Sequence, residues 1–248
     1  MNDAITLTIA PRFCGPPGSA NGGYFAGMVA GLATGPVKVR LRRPPPLAAA
    51  MPAERLPDGR VVVRHDGETV AEAIPTTLEL EAPPPVSRLE AVEASRRFRG
   101  WQHHVFPRCF VCGPQRRRGD GLRIFAGEVT GHRAPALVAA PWIPDASLAL
   151  GDGRIAPEFM WAALDCPGYF ATATDGRVML LAEMTARVER RLRADEPAIV
   201  VGWHLAGEGR VHEAGTALFG EDGEQCALAR ALWIEPRREP RDAVPQGV

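Results

Sequence analysis

Asn21-Gly22-Gly23 runs straight into Tyr24, Phe25, Met28, Val29 and Leu32, apolar residues at three- and four-residue steps, and far downstream an isolated acid, Asp165, sits between Leu164 and Cys166. Glycine weakens a helix by roughly 1 kcal/mol relative to alanine, so a Gly-Gly pair at a helix start implies that something comes close to the backbone there. The first N–H groups of a helix are unpaired and carry the positive end of its dipole, which suits Gly22 or Gly23 to a carbonyl oxygen on which negative charge develops. Asn21 either caps the helix or turns its amide toward a ligand. Asp165 has Trp161 one turn before it and Tyr169 one turn after. A carboxylate in such apolar company costs several kcal/mol unless it is hydrogen-bonded or faces a cleft, and burial raises its pKa. It would activate a water as general base or attack a carbonyl itself; the structural alternative is that it orders the turn at Cys166-Pro167-Gly168. Glu158, after Pro157, is explained by ordinary helix N-terminal chemistry.

Cys109-x-x-Cys112 offers two thiols. Two thiolates alone do not make a zinc site, and His103 and His104, adjacent to each other and close to Cys109, are not at a usual structural-zinc spacing. A redox pair would want a helix N-terminus directly after the motif, which Gly113-Pro114 does not resemble. No metal and no organic cofactor is therefore expected. Arg116, Arg117 and Arg118 are either a solvated charge run or a contact for phosphates. No G-x-S-x-G elbow and no G-x-x-x-x-G-K-[ST] loop occurs, and no histidine falls in either apolar segment.

Composition bounds the partners. With 29 basic and 29 acidic residues the formal net charge is zero, so charge favours neither nucleic acid nor an anionic membrane. Lys38 is the only lysine among the basic residues. Five cysteines, an odd count, argue for reduced thiols rather than a disulfide framework. Met1 to Phe13 lacks the apolar run of a secretory signal, and no stretch approaches the roughly 18 apolar residues that cross a bilayer, so a cytoplasmic location is expected.

Stepping outward to the elements, ITLTI at 5–9 alternates like a strand, and an uncharged, wholly apolar helix runs from Gly22 to near Gly35. Strands follow at 37–41, 61–65 and 68–74, the last two joined by Asp66-Gly67, a two-residue hairpin signal. Residues 86–108 read as a connector whose first part has helical spacing. Past it come a strand near Ala136 to Ala140, a turn at Gly151 to Gly153, a second apolar helix over 156–173, and strands at 179–192, 198–209 and 212–234 with a hairpin at Asp222-Gly223. HDGETVAEA at 65–73 resembles EDGEQCALARA at 221–231, so the chain reads as a duplicated unit. The expected organisation is an N-terminal domain over 1–85, a connector over 86–108, a C-terminal domain over 109–236 and a polar tail over 237–248.

Cys109-Phe110-Val111-Cys112-Gly113-Pro114, then Gly121-Leu122-Arg123-Ile124, then a helix holding Ala163-Leu164-Asp165, resembles the phenylacetyl-CoA-type acyl-CoA thioesterases of the hotdog fold. In that family C-x-x-C-G and G-L-x-L are followed by H-G-G at a helix start and an acid eight or nine positions on. The resemblance implies an α+β double hotdog, two tandem domains that each wrap a curled antiparallel sheet around a central apolar helix. It also implies hydrolysis of an acyl-CoA or acyl-carrier-protein thioester. The halves depart from the pattern in opposite ways. The first keeps the glycines of Asn21-Gly22-Gly23 but has Ala30 where the acid belongs; the second keeps Asp165 but reads Ala156-Pro157-Glu158 at the helix start. One asymmetric site between the halves is thus expected, with Gly22 or Gly23 as oxyanion donor, Asn21 beside them and Asp165 as base or nucleophile. Tyr24, Trp161 and Tyr169 would contact substrate, and Arg116, Arg117 and Arg118 the CoA phosphates. The resemblance extends to a homodimer of such protomers. The rival expectation is a non-catalytic acyl-CoA-binding or sensing protein of the same fold, since the family histidine and one whole site are missing.

Overall fold

A computed structural model describes residues 5–131, 137–173 and 176–237; the expected tail beyond Arg237 and the start of the strand expected near Ala136 lie outside the described residues. The alternating ITLT segment forms β1 (Ile5–Thr8), and the apolar run forms α1 (Gly22–Ala30). This helix ends before Gly35 because its last turn tightens: Gly31 N–H bonds to Gly27 O, and Leu32 and Ala33 bond only three residues back. β2 (Val37–Leu41), β4 (Val61–His65) and β5 (Glu68–Pro75) fall on the expected strands. Asp66 and Gly67 join the last two with φ of 49° and 79°, the double left-handed geometry that an Asp-Gly hairpin supplies. Sequence reading misses β3 (Ala50–Arg55), where Ala50, Ala53 and Pro52 blur the alternation. The connector holds α2 (Arg88–Arg96), opened by a capping box between Ser87 and Glu90.

The second half contributes β6 (Gly127–Glu128), β7 (Val138–Trp142), α3 (Pro157–Ala163), α4 (Cys166–Thr172), β8 (Leu180–Val188), β9 (Ala198–Glu208), β10 (Val211–Gly220) and β11 (Gln225–Ile234). Among the described residues eleven strands form one sheet in the order β1-β3-β4-β5-β2-β8-β11-β10-β9-β7-β6, with antiparallel pairing throughout. The first five strands and, from the other edge, β7-β9-β10-β11-β8 follow the same order, and the two sets meet where β2 pairs with β8 through Lys38↔Thr185, Val39↔Met184 and Arg40↔Glu183. Glu183 anchors that seam by ion pairs to Lys38 at 3.3 Å and Arg40 at 2.9 Å.

Where one long helix over 156–173 is expected, the chain instead breaks between α3 and α4. Pro167 has no N–H to return to the carbonyl four residues back, and the backbone turns at Asp165 with φ −74° and ψ −78°. The Leu164 carbonyl is taken by the Thr216 hydroxyl of β10 at 2.8 Å. α1 lies directly on α3, and Gly23 and Gly27, one turn apart, make this approach feasible. A Cβ at Gly27 would stand 2.7 Å from the Glu158 Cα and 2.8 Å from the Trp161 Cβ. The main core draws on both halves, joining Phe25, Val39 and Val63 to Met160, Met184 and Val200. Among the described residues no helix is long and apolar enough to cross a membrane.

Candidate functional site

The break between α3 and α4 turns the Asp165 side chain away from its own helix, where it makes no capping bond, and toward the start of α1. Its Oδ2 accepts from Asn21 Nδ2 at 2.6 Å and from the Gly23 N–H at 3.0 Å. Both readings of Asn21 are realised in one geometry, because its Oδ1 accepts from Tyr24 N at 2.9 Å, capping α1, while its Nδ2 holds the acid. Asn21 and Asp165 are each only 2% exposed. Burial pushes the Asp165 carboxyl up to about 7, against the opposing pull of the Gly23 N–H; the nearby Cys109 sulfur adds to the rise and Asn21 opposes it. Its second oxygen, Oδ1, is buried and has no hydrogen-bond partner among the described residues.

These bonds revise the expected role of the glycines. A Cβ at Gly23 would stand 2.5 Å from the Asp165 Cβ and 3.0 Å from the Trp161 carbonyl oxygen, so the group that approaches the backbone is the acid itself. With Gly23 N–H given to Asp165 and Tyr24 N–H to Asn21, the first-turn donor left without a partner among the described residues is the N–H of Gly22. The expectation of Gly22 or Gly23 as donor thereby narrows to Gly22.

Gly22, Asn21 and Asp165 line a cavity of about 380 Å³, whose walls are largely apolar and include Leu181, Tyr169 and Trp233. Tyr169 keeps its ring there by donating its hydroxyl to the Arg177 carbonyl at 2.8 Å and by packing edge-on against Trp233. Tyr24 and Trp161 do not line this cavity. Tyr24 is stacked on Phe13 with ring centroids 4.3 Å apart, inside an aromatic group with Phe110 and Phe159, and Trp161 is buried against Gly27. Nor does the arginine run reach it. Arg116 is buried and holds the carbonyls of Arg12 and Arg108 and the carboxylate of Asp120, while Arg117 and Arg118 are exposed on a turn outside the lining. Arginines that do line the cavity are Arg42, Arg43 and Arg99, which sequence reasoning missed. Arg42 and Arg43 are paired with Glu72 and Glu68, and the Arg-Arg-Pro-Pro-Pro stretch that carries them was a signal only in its charge.

The sequence sets only His103 and His104 near Cys109 and Cys112; the fold adds a third thiol. The break that turns Asp165 toward α1 also starts α4 with Cys166, whose Sγ lies 3.7 Å from Cys109 Sγ, and all three sulfurs lie within 4.8 Å of one another at the cavity wall. The cluster holds Cys109 well below the ordinary thiol range through hydrogen bonds from Cys112 and Cys166, while burial pushes Cys112 up.

At the pseudo-equivalent end of the helix pair, α3 begins with Pro157 and an Ala156 that makes no side-chain cap, and Ala30 stands half-buried near Pro157 and Trp161. Glu158 is the acid in the first turn of α3, and Pro157 before it has no N–H to donate.

No family model matches the sequence, and no curated protein matches it. Solved structures do share its architecture. The tesB protein of Mycobacterium avium subspecies paratuberculosis superposes with a TM-score of 0.58 at 16% identity, over 94% of this chain and 93% of that one. A provisionally assigned thioesterase of Novosphingobium aromaticivorans superposes with a TM-score of 0.58 at 15% identity, over 94% of this chain and 95% of the other. A large antiparallel sheet, few helices and superposition over 94% of the chain give it the hotdog fold that these structures share.

Proposed function

We propose that the chain is a double hotdog that hydrolyses an acyl thioester, carried on CoA or on a carrier protein, at one site between its halves. The domains of this reading are 1–85 and 109–236, joined by the connector over 86–108; the repeated strand order of the two halves supports it. The observation that carries the function is that Asp165, whose buried Oδ1 has no hydrogen-bond partner among the described residues, and Gly22, whose helix-start N–H has none there, line one largely apolar cavity.

In this mechanism the acyl chain lies against Leu181, Tyr169 and Trp233, and the thioester carbonyl points at the Gly22 N–H. Asp165 Oδ1 takes a proton from a water as that water adds to the carbonyl carbon. The oxygen that gains the charge is stabilised at the positive end of α1, in a site with little competing water. Collapse breaks the C–S bond, the proton on Asp165 passes to the departing sulfur, and a carboxylic acid and a free thiol remain. Asn21 and the Gly23 N–H hold Oδ2 throughout, so that Oδ1 is the oxygen presented. Arg42 and Arg43 flank the cavity and are the cations suited to the phosphates of CoA, once exchanged from Glu72 and Glu68.

The test is turnover of short, branched, aromatic and long acyl-CoAs by the wild type and by Asp165→Asn. General-base catalysis is worth about 10²- to 10⁴-fold, so kcat should fall by at least about 100-fold in the variant with acyl-CoA binding retained. Wild-type protein that binds acyl-CoA and turns none over would leave the binding or sensing reading in its place.

A further inference from the structure

Cys109 and Cys112 come from a tight turn, closed by the Gly113 N–H on the Cys109 carbonyl at 2.9 Å, and Cys166 from the first residue of α4. Nothing in the hydrolytic mechanism uses them, yet the fold gathers all three in the wall of the same cavity. They are free thiols, only 3 to 7% exposed. Buried cysteine is common as a small apolar side chain, and apolar packing alone would surround the sulfurs with carbon. Here polar hydrogens are aimed at them instead. His104 Nδ1 accepts from the Phe106 N–H at 3.0 Å, so the ring proton is on Nε2, which stands 3.3 Å from Cys112 Sγ and donates to it. Asn21 Nδ2 lies 3.9 Å from Cys109 Sγ. Donors placed on sulfur from outside the cluster are what thiolates bound to a cation require, since they offset charge that the metal leaves uncancelled.

The spacing fits as well. A tetrahedral ion with Zn–S bonds of about 2.3 Å sets its sulfurs about 3.8 Å apart, against the 3.7 Å between Cys109 and Cys166. We propose that Cys109, Cys112 and Cys166 form a three-thiolate site for a thiophilic divalent cation of the zinc class, with the fourth ligand position facing the cavity. Binding releases the protons of whichever thiols are protonated and leaves a cluster of net charge −1, toward which the His104 and Asn21 donors are directed. His104 is a positioning residue for the Cys112 sulfur rather than a fourth ligand, because its free ring position is already committed to the Phe106 N–H. The site does not depend on the thioesterase reading and is read by metal content, not by turnover.

The experiment is titration of the full-length, reduced, metal-stripped protein with Co²⁺ without oxygen, followed by displacement with Zn²⁺ against a chromophoric chelator. One ion per chain with sulfur-to-cobalt charge-transfer absorption is expected. Cys109→Ser, Cys112→Ser and Cys166→Ser should each weaken the band by about a third and affinity by at least tenfold, while Cys14→Ser and Cys226→Ser leave both unchanged. His104→Gln should keep the band at full intensity and weaken affinity about 10- to 100-fold, as loss of an outer-shell partner does. A folded, reduced wild-type protein without the charge-transfer band overturns the proposal, whatever the variants do, as does a band that survives Cys166→Ser at full strength.

Discussion

Asn21 performs two tasks with opposite ends of one amide, and a single substitution can separate them. Its Oδ1 caps α1 at Tyr24 N, and its Nδ2 donates to Asp165 at 2.6 Å. Asn21→Asp keeps the capping acceptor, removes the donor and sets two carboxyl groups against each other in the interior. Asn21→Ser keeps a capping oxygen and removes only the reach to Asp165. Capping is worth about 1 kcal/mol, and leaving a buried acceptor short of a donor costs about 1 to 3 kcal/mol. Urea unfolding should therefore rank wild type above Asn21→Ser and Asn21→Ser above Asn21→Asp. Equal stability of the two variants would mean that the acid does not depend on Asn21. The same pairing defines what Asp165→Asn would test: an amide at that position can still accept from Gly23 N–H but cannot take a proton from water at neutral pH.

At the scale of elements, α1 and α3 touch through glycines, and Gly27 and Gly31, one turn apart toward the C-terminal end of α1, should respond oppositely to added methyl groups. Gly27→Ala sets a Cβ 2.7 Å from the α3 backbone, so the helices must part; overpacking of this kind costs about 1 to 3 kcal/mol even though alanine is the better helix former. Gly31 is right-handed with φ −62°, and a Cβ there would meet only carbonyl oxygens at 3.5 Å, so Gly31→Ala should be neutral or stabilise by about 0.4 to 1 kcal/mol. Thermal melts of the two variants would show it, and a lowered midpoint for both would refute the packing argument. This contrast also explains what could be read beforehand. Strands with clean alternation and the Asp66-Gly67 hairpin are local signals and were legible, as was the assignment of Asn21, Gly22, Gly23 and Asp165 to one cluster of interest. The α3–α4 break, the strand β3 and the placement of Tyr24, Trp161 and Arg116 away from the cavity were not. Each is decided by partners distant in sequence: Thr216 for the Leu164 carbonyl, β1 for β3, and Phe13 for Tyr24. Cys166 escaped for the same reason, since its companions are 57 and 54 residues earlier by position and meet it only through the fold.

On the scale of the whole molecule, the seam between β2 and β8 is short, but the main core crosses it without interruption, from Phe25 and Val63 to Met160 and Val200. Halves that share a core cannot melt separately. Calorimetry of the full chain should give one transition, and two resolved transitions would show that the halves hold separate cores. Glu183 tests the seam itself: its partners Lys38 and Arg40 are partly exposed, so Glu183→Gln should cost no more than about 1 kcal/mol, with the apolar contacts carrying the junction.

The bond between Asn21 and Asp165 spans 144 residues of one polypeptide. Donor and acid are therefore inherited together, made in equal number, and tethered for the life of the molecule. Dilution cannot take such a centre apart. On the proposed hydrolysis, specific activity should hold constant down to concentrations at which a centre shared between separate subunits would fade, and each half is free to drift at the end of the helix pair that the other half does not need.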